Sequence, residues 1–430
     1  MSKRWLAVAA LAAFACGGGG GDDVPPSPDG APYEPERHQF EVTYAANAHE
    51  ISEADGLAHL TGDAPNADTL TYTFDSGATA IAALVPGDIA VLAGIAYRKV
   101  VSVTDDGAGT LTLVTERTTL PEAITEGTIA WAQTVNFADL AALRSVPVTM
   151  GDQVIGDLAD AIARRSPISY SGMVDGYNVS LTLTPSAGRV DIDAVARLEV
   201  AGEDRFALHG TGHLEGFQTR GAAVIGADGI SFEAGNNHIR GELSVQAAAF
   251  NTGLSDELLD VPLGFDIPIQ VGPVPLILKI KANINVRLIL SIADSSAEAT
   301  VTFAFSSDQG ITASGSSLNA TGALQTGTLG EFAGGSVDGA AAGMSVCIEF
   351  PRFELTMLGE FASVGITQNN CAATSYQFQP ACNEVTGSIV GIALANLGFF
   401  GITLAEGQVE LYRRADGRQA GEECPPLDSE

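Results

Sequence analysis

Leu276-Ile277-Leu278-Lys279-Ile280-Lys281-Ala282-Asn283-Ile284-Asn285-Val286-Arg287-Leu288-Ile289-Leu290-Ser291-Ile292 decides the fold. Every even position is apolar. The odd positions carry Lys279, Lys281, Asn283, Asn285, Arg287 and Ser291, with Ile277 and Ile289 near the two ends. Side chains alternate between the faces of a strand, so this is period two without a break in phase. At ~3.3 Å per residue the stretch extends about 56 Å, whereas ordinary strands hold about 5–6 residues. The chain therefore contains at least one very long strand, or one that bends within a barrel or a large curved sheet. The apolar face needs cover from a second sheet, a helix or lipid.

The same period runs through Val190–Val200, where every even position is apolar. Just ahead of the long strand, Val261–Pro275 spaces Pro262, Pro268, Pro273 and Pro275 through apolar sequence. Proline donates nothing to a sheet ladder, so this segment is expected on an edge or in extended polyproline-like chain. Residues 310–343 are dominated by Gly, Ala, Ser and Thr and read as loops or weak strands. Ser388–Ala405 is mostly apolar but carries Gly391, Asn396, Gly398 and Gly401, which favours a buried hairpin over a membrane helix.

Toward the N-terminus, Gln39–Tyr44, Thr69–Phe74, Tyr97–Val103, Thr110–Thr115 and Thr128–Gln133 suit short strands, and Leu120–Ile124 a helical turn. Asp105–Gly109 has the composition of a hairpin connection. Val154, Ile155, Leu158, Ala159, Ile162 and Ala163 form one apolar helical stripe, with Asp152 and Asp157 early and Arg164-Arg165 before Ser166-Pro167. The spacing predicts a helix over 152–165. The resulting expectation is all-β: a small N-terminal β-barrel or sandwich (38–135), a helical connector (136–166) and a larger antiparallel β domain (167–430) ending in a disulfide region.

The chain opens with Ser2-Lys3-Arg4, an apolar run from Trp5 to Ala15, and Ala13-Phe14-Ala15 directly before Cys16. A basic start, an apolar run too short to span a bilayer and a small-residue junction make residues 1–15 a secretory signal peptide. The junction resembles the lipobox of bacterial lipoproteins. That resemblance covers about the first twenty residues only. It implies a lipid on Cys16, with Gly17 directing the product to the outer membrane. Gly17–Gly21, Asp22-Asp23 and Pro25-Pro26-Ser27-Pro28 then form a tether within residues 16–37.

Acidic residues number 52 against 21 basic ones, a net charge of −31. A polyanion such as nucleic acid is thereby excluded as partner. Besides Cys16 there are four cysteines: Cys347, Cys371, Cys382 and Cys424. An even number in an exported chain implies two disulfides. The expected pairs are Cys371–Cys382 across the polar loop between them and Cys347–Cys424 pinning the tail.

Sites of chemistry are sparse. His209 and His213 lie four apart, but on a strand their rings stand about 13 Å apart, too far for one ion. No nucleophile elbow, no metalloprotease motif and no complete EF-hand loop occurs. Neither metal nor cofactor is expected. Lys279, Lys281 and Arg287 form one basic stripe, with pairing to neighbouring carboxylates as the default and an anionic ligand as the lesser reading. The expected function is that of a lipid-anchored envelope protein with a structural, adhesive or binding role. Its partners would be the membrane, through the lipid, and an envelope protein, a polysaccharide or an apolar ligand. A carrier whose long strands enclose an apolar ligand is the first alternative, recognisable by an internal cavity. An envelope hydrolase is the second, recognisable by His and Asp/Glu clustered in a cleft.

Overall fold

The computed structural model describes residues 35–424 apart from 53, 55, 62–68, 144, 152, 175, 187, 201–202, 228, 251–262, 291–295, 315–316, 336–341, 358–361, 379–380, 400–401 and 422–423. The signal peptide, Cys16 and the first part of the tether lie outside the described residues. In chain order the strands begin with β1 (Arg37–Tyr44), β2 (Ala48–Ile51), β3 (Leu60–Thr61) and β4 (Thr71–Asp75). After helix α1 (Thr79–Ala82) come β5 (Ile89–Leu92), β6 (Ala96–Asp105) and β7 (Thr110–Arg117). Helix α2 (Leu120–Ala123) leads into β8 (Ile124–Val135), followed by β9 (Pro147–Met150), β10 (Gln153–Asp157) and helix α3 (Leu158–Arg164). Then come β11 (Ile168–Val174), β12 (Tyr177–Ser186), β13 (Arg189–Val200), β14 (Glu203–Glu215), β15 (Phe217–Gly226) and β16 (Gly229–Phe250). The longest elements close the chain: β17 (Leu263–Val271), β18 (Val274–Leu290), β19 (Ser296–Ser314) and β20 (Ser317–Gly335), then β21 (Ala342–Met357), β22 (Ala362–Phe378), β23 (Ala381–Phe399) and β24 (Ile402–Gly421). The protein is all-β.

Three sheets result: a ten-stranded one built around β16, an eight-stranded one from β10 to β24, and a six-stranded one from β2 to β7. Alternation decides how the two large sheets meet. Leu276, Leu278 and Ile280 of β18 are fully buried, whereas Lys279 and Lys281 between them are not. Facing them from the ten-stranded sheet, Phe217 packs at a tilt against Phe353, 4.9 Å between ring centres. The two flanks close as well. Leu411 of β24 lies over Gly322 of β20, and Ile168 of β11 lies over Gly156 of β10. The apolar face of the long strand is thus covered over Leu276–Ile280.

Sheet pairing crosses the boundary expected at residue 135. β1 pairs with β8 and β8 with β15, so both belong to the ten-stranded sheet. The small sheet keeps its own core around Phe74, Leu92 and Leu113. β5 serves both cores, burying Ala90 and Leu92 in the small one and Ile89 and Val91 in the large one.

One local expectation is corrected, the edge expected for the prolines is found, and the open reading of 310–343 is decided for its described residues. The helix over 152–165 shrinks to α3, because Asp157 caps it by accepting from Asp160 N (3.0 Å), and residues 153–157 pair with β9 instead. Val154, on the expected apolar stripe, is 63% exposed. The proline-spaced segment is a strand, β17, flanked by β9 only at Leu263–Phe265. Pro268 lies beyond that pairing, where no N–H is required, and the tip turns at Gly272 (φ 58°) against Phe40. Residues 310–335 are not loops. They fall in β19 and β20, whose ladder holds despite small side chains because β16 flanks β19 along its whole length. The hairpin expected within 388–405 is present as β23–β24.

Most of the long strands are interrupted near their middles, and the interruptions line up. β14 and β15 keep one register against β16, broken only at Gly216, where the outer neighbour changes from β13 to β8. Gly216 N donates to Gly188 O, and a Cβ there would sit 2.9 Å from the Val135 carbonyl. Register shifts follow at Asn236/Ile239, Ser306/Ser307, Lys281/Asn283, Glu349/Arg352 and Gly391/Ile392. Bulges of this kind bend a strand and increase its twist. They form a waist that lets strands of 16 to 22 residues curve around one core.

Candidate functional site

Where the waist crosses the interior, alternation gives way to polar side chains. Gln309 Nε2 donates to Tyr412 Oη (2.7 Å), which donates to Gln368 Oε1 (3.1 Å). Gln368 Nε2 donates to Asn370 Oδ1 (3.1 Å), and Asn370 Nδ2 to the Phe350 carbonyl (2.8 Å). This chain ties β19 of one sheet to β24, β22 and β21 of the other. The Tyr412 ring lies flat over Gly391, where a Cβ would meet it at 2.4 Å. Burial pushes the Tyr412 hydroxyl above the usual phenol range, which keeps it a neutral donor. The network fixes how the sheets face each other and offers no nucleophile.

The apolar interior leaves little room. Between the sheets, Met150, Leu181, Ala194, Gly210, Leu243 and Ala282 line a cavity of about 40 Å³. A cavity of about 150 Å³ is what admits a benzene-sized guest. Of the even positions of 276–292, Ala282 touches this space, whereas Leu276, Leu278 and Ile280 are packed solid.

The larger concavity lies on the outer face of the ten-stranded sheet, about 450 Å³ in volume. Two rungs of aligned residues form it. Thr182, Asp193, Thr211 and Ser244 stand in register on β12, β13, β14 and β16. Thr184, Asp191, His213 and Glu242 form the next rung. These side chains face outward because their even or odd partners on each strand are apolar and buried, as with Leu183, Val190, Leu214 and Leu243. Two of its carboxylates have neighbours on the sheet: Asp191 pairs with Arg189 Nη2 at 3.0 Å, and Asp193 lies 3.0 Å from His209 Nε2.

At the sheet's fork, Glu215 receives Arg240 Nε at 3.0 Å and His213 Nε2 at 3.7 Å. The neighbouring His213 imidazole, with the charges of Arg240 and Arg189, holds the Glu215 carboxyl below its ordinary value despite partial burial. A depressed folded value means the contribution to stability is complete above the unfolded value of about 4.3 and is lost as pH falls through the folded one. Glu215→Gln should therefore lower stability at neutral pH and flatten the acid limb. Urea unfolding at a series of pH values should show the two proteins converging below about pH 4.

His209 and His213 both lie on strand β14, each beside a carboxylate, and no group of three metal ligands occurs among the described residues. Lys279 pairs with Asp266 and Lys281 with Glu354, so the carboxylate reading of the basic stripe holds for both; Arg287 stands opposite Ser345 in the ladder. The disulfides are Cys347–Cys371 and Cys382–Cys424, not the expected pairs. Antiparallel pairing sets Cys347 directly opposite Cys371 on β21 and β22, Cα atoms 4.0 Å apart. The register of β22 with β23 puts Ser388, not Cys382, opposite Cys371. Neither the groove nor the polar chain was foreseen, since both depend on register between distant strands. Compared with family models, curated proteins and solved structures, the chain finds no match.

Proposed function

We propose that this protein is a lipid-anchored envelope protein of the bacterial outer membrane, held by a lipid on Cys16, with a structural, adhesive or binding role. One observation supports that role above the carrier: among the described residues the apolar cavity between the sheets holds about 40 Å³, far too little for a lipid chain. Interaction is left to the outside, where the 450 Å³ groove is lined by polar groups. Two disulfides and flanks that close on each other suit a rigid body standing off a membrane.

An envelope hydrolase is the second reading, favoured by His213 standing between Asp191 and Glu242 in the groove. Binding accounts for the same residues with fewer requirements.

The test is metabolic labelling with palmitate together with membrane fractionation. The wild-type protein should take up label and sediment with outer membranes; Cys16→Ser should do neither. Unlabelled wild type would end the anchoring reading. Lipid extraction and mass spectrometry of gently purified protein should find no stoichiometric apolar ligand, and finding one would restore the carrier.

A further inference from the structure

We propose that the outer groove binds a neutral, extended glycan chain. The inference rests on the binding role above and names its site and ligand class. Three features of the groove carry it. First, its shape is elongated: each rung crosses four strands, about 14 Å at ~4.8 Å per strand, the length of a few sugar units. Second, donors and acceptors alternate along it. The Thr182, Thr184, Thr211 and Ser244 hydroxyls stand among the Asp191, Asp193 and Glu242 carboxylates, with His213 and Arg189 as further donors. A polyol presents donor and acceptor in each hydroxyl, and a carboxylate accepts from two at once. Third, two of the three carboxylates already have partners on the sheet, Asp191 in Arg189 and Asp193 in the His209 imidazole, and Glu242 is left to accept from a ligand.

A site built for a cation would not commit two of its three carboxylates to Arg189 and His209, and one built for an anion would not place three carboxylates together. No Phe, Tyr or Trp ring is among its lining residues, so the ligand is held by hydrogen bonds to its edges rather than by stacking. Binding is then weak per site and insensitive to salt, as suits a polymer that touches many anchored copies at once.

The experiment is calorimetric titration of the detergent-solubilised full protein with chitohexaose, with spermine and polygalacturonate as charged comparison probes, at low and high salt. Chitohexaose should bind with an affinity that changes less than about twofold with salt. Thr211→Leu, which fills the middle of one rung, should weaken it about tenfold, the equivalent of one lost hydrogen-bonding position. Asp193→Asn, which removes charge but keeps size and hydrogen bonding, should stay within about threefold. Thermal melts of both variants should match wild type, because both positions face outward.

No chitohexaose binding overturns the proposal. So does spermine binding that Asp193→Asn and salt both abolish, which would make the groove a cation site. Chitohexaose recovered as shorter products would replace binding with hydrolysis. Membrane fractionation of the same variants reports separately on the anchor: glycan binding by a protein that carries no lipid would sink the anchoring alone.

Discussion

Removing the Cys382–Cys424 disulfide by the double substitution Cys382→Ser/Cys424→Ser should cost about 4 kcal/mol of unfolding free energy. Its loop closes 42 residues, and the chain-entropy relation gives that magnitude. Cys347–Cys371, with a separation of 24, should be worth about 3.5 kcal/mol by the same relation. The two loops follow one another without overlapping, so the unfolded chain gains the freedom of both and the costs should add. Cys382 is almost fully buried, and its partner Cys424 fastens the chain directly after β24. Losing that bond should free the strand at the outer edge of the eight-stranded sheet, whose remaining neighbours are β23 and the apposed β20. Urea unfolding of the two double variants and of the quadruple variant checks both values and their sum. A Cys382/Cys424 variant within about 1 kcal/mol of wild type would show that the tail contributes nothing.

The expected pairing failed for a reason that the sequence itself contained. A loop between Cys371 and Cys382 looks like a natural site for a clasp, but neighbouring cysteines matter less than ladder register. Cys347 and Cys371 lie almost equally far from the turn between β21 and β22, offset by the one-residue bulge at Glu349/Arg352, and that near-symmetry marks an opposed pair in a hairpin. Reading it requires knowing that both flanks are strands. Leu276–Ile292 could be read outright because strict alternation of Leu and Ile with Lys and Asn leaves one interpretation, and β18 is the result. Where the side chains are small, as in Ser317–Gly335, alternation carries no contrast, and β20 is held by pairing with β19 rather than by its own pattern. The stripe at 154–163 misled in the opposite direction. Its helical spacing is genuine, but Asp157 as N-cap and the pairing of Val154 with Thr149 settle the first half as strand.

The groove was half legible. Val190–Val200 shows at once that Asp191 and Asp193 share the solvent face, and Leu208–Leu214 puts His209, Thr211 and His213 on one face. Which of these stand side by side follows only from register, Asp191 with His213 and Asp193 with Thr211. The polar chain left a different trace. Ser306-Ser307-Asp308-Gln309 and Gln368-Asn369-Asn370 interrupt alternating strands with runs that resemble turns. They are instead the places where long strands bulge, and the displaced side chains meet across the core.

That meeting makes Tyr412 the single residue whose loss should do most damage. Tyr412→Ala deletes the ring packed on Gly391 and both of its hydrogen bonds, and large-to-small changes of an aromatic in a core cost about 3–5 kcal/mol. Tyr412→Phe separates the two contributions. The ring stays, but Gln309 Nε2 and Gln368 Oε1 each lose a partner between the sheets, and an unsatisfied buried polar group costs about 1–3 kcal/mol. Adding Gln309→Leu to Tyr412→Phe removes one of the stranded groups, so the double variant should be more stable than the two single losses summed, by about 1 kcal/mol. A double-mutant cycle read from urea unfolding measures this coupling. Additive losses would mean that the chain from Gln309 to Asn370 does not act as a unit, and that the sheets are held in register by apolar packing alone. Coupling of the expected sign would instead identify the waist as the element that fixes one sheet on the other. Alternating Leu, Ile and Val cannot do this by themselves, because a shift of two residues along a strand leaves their pattern unchanged.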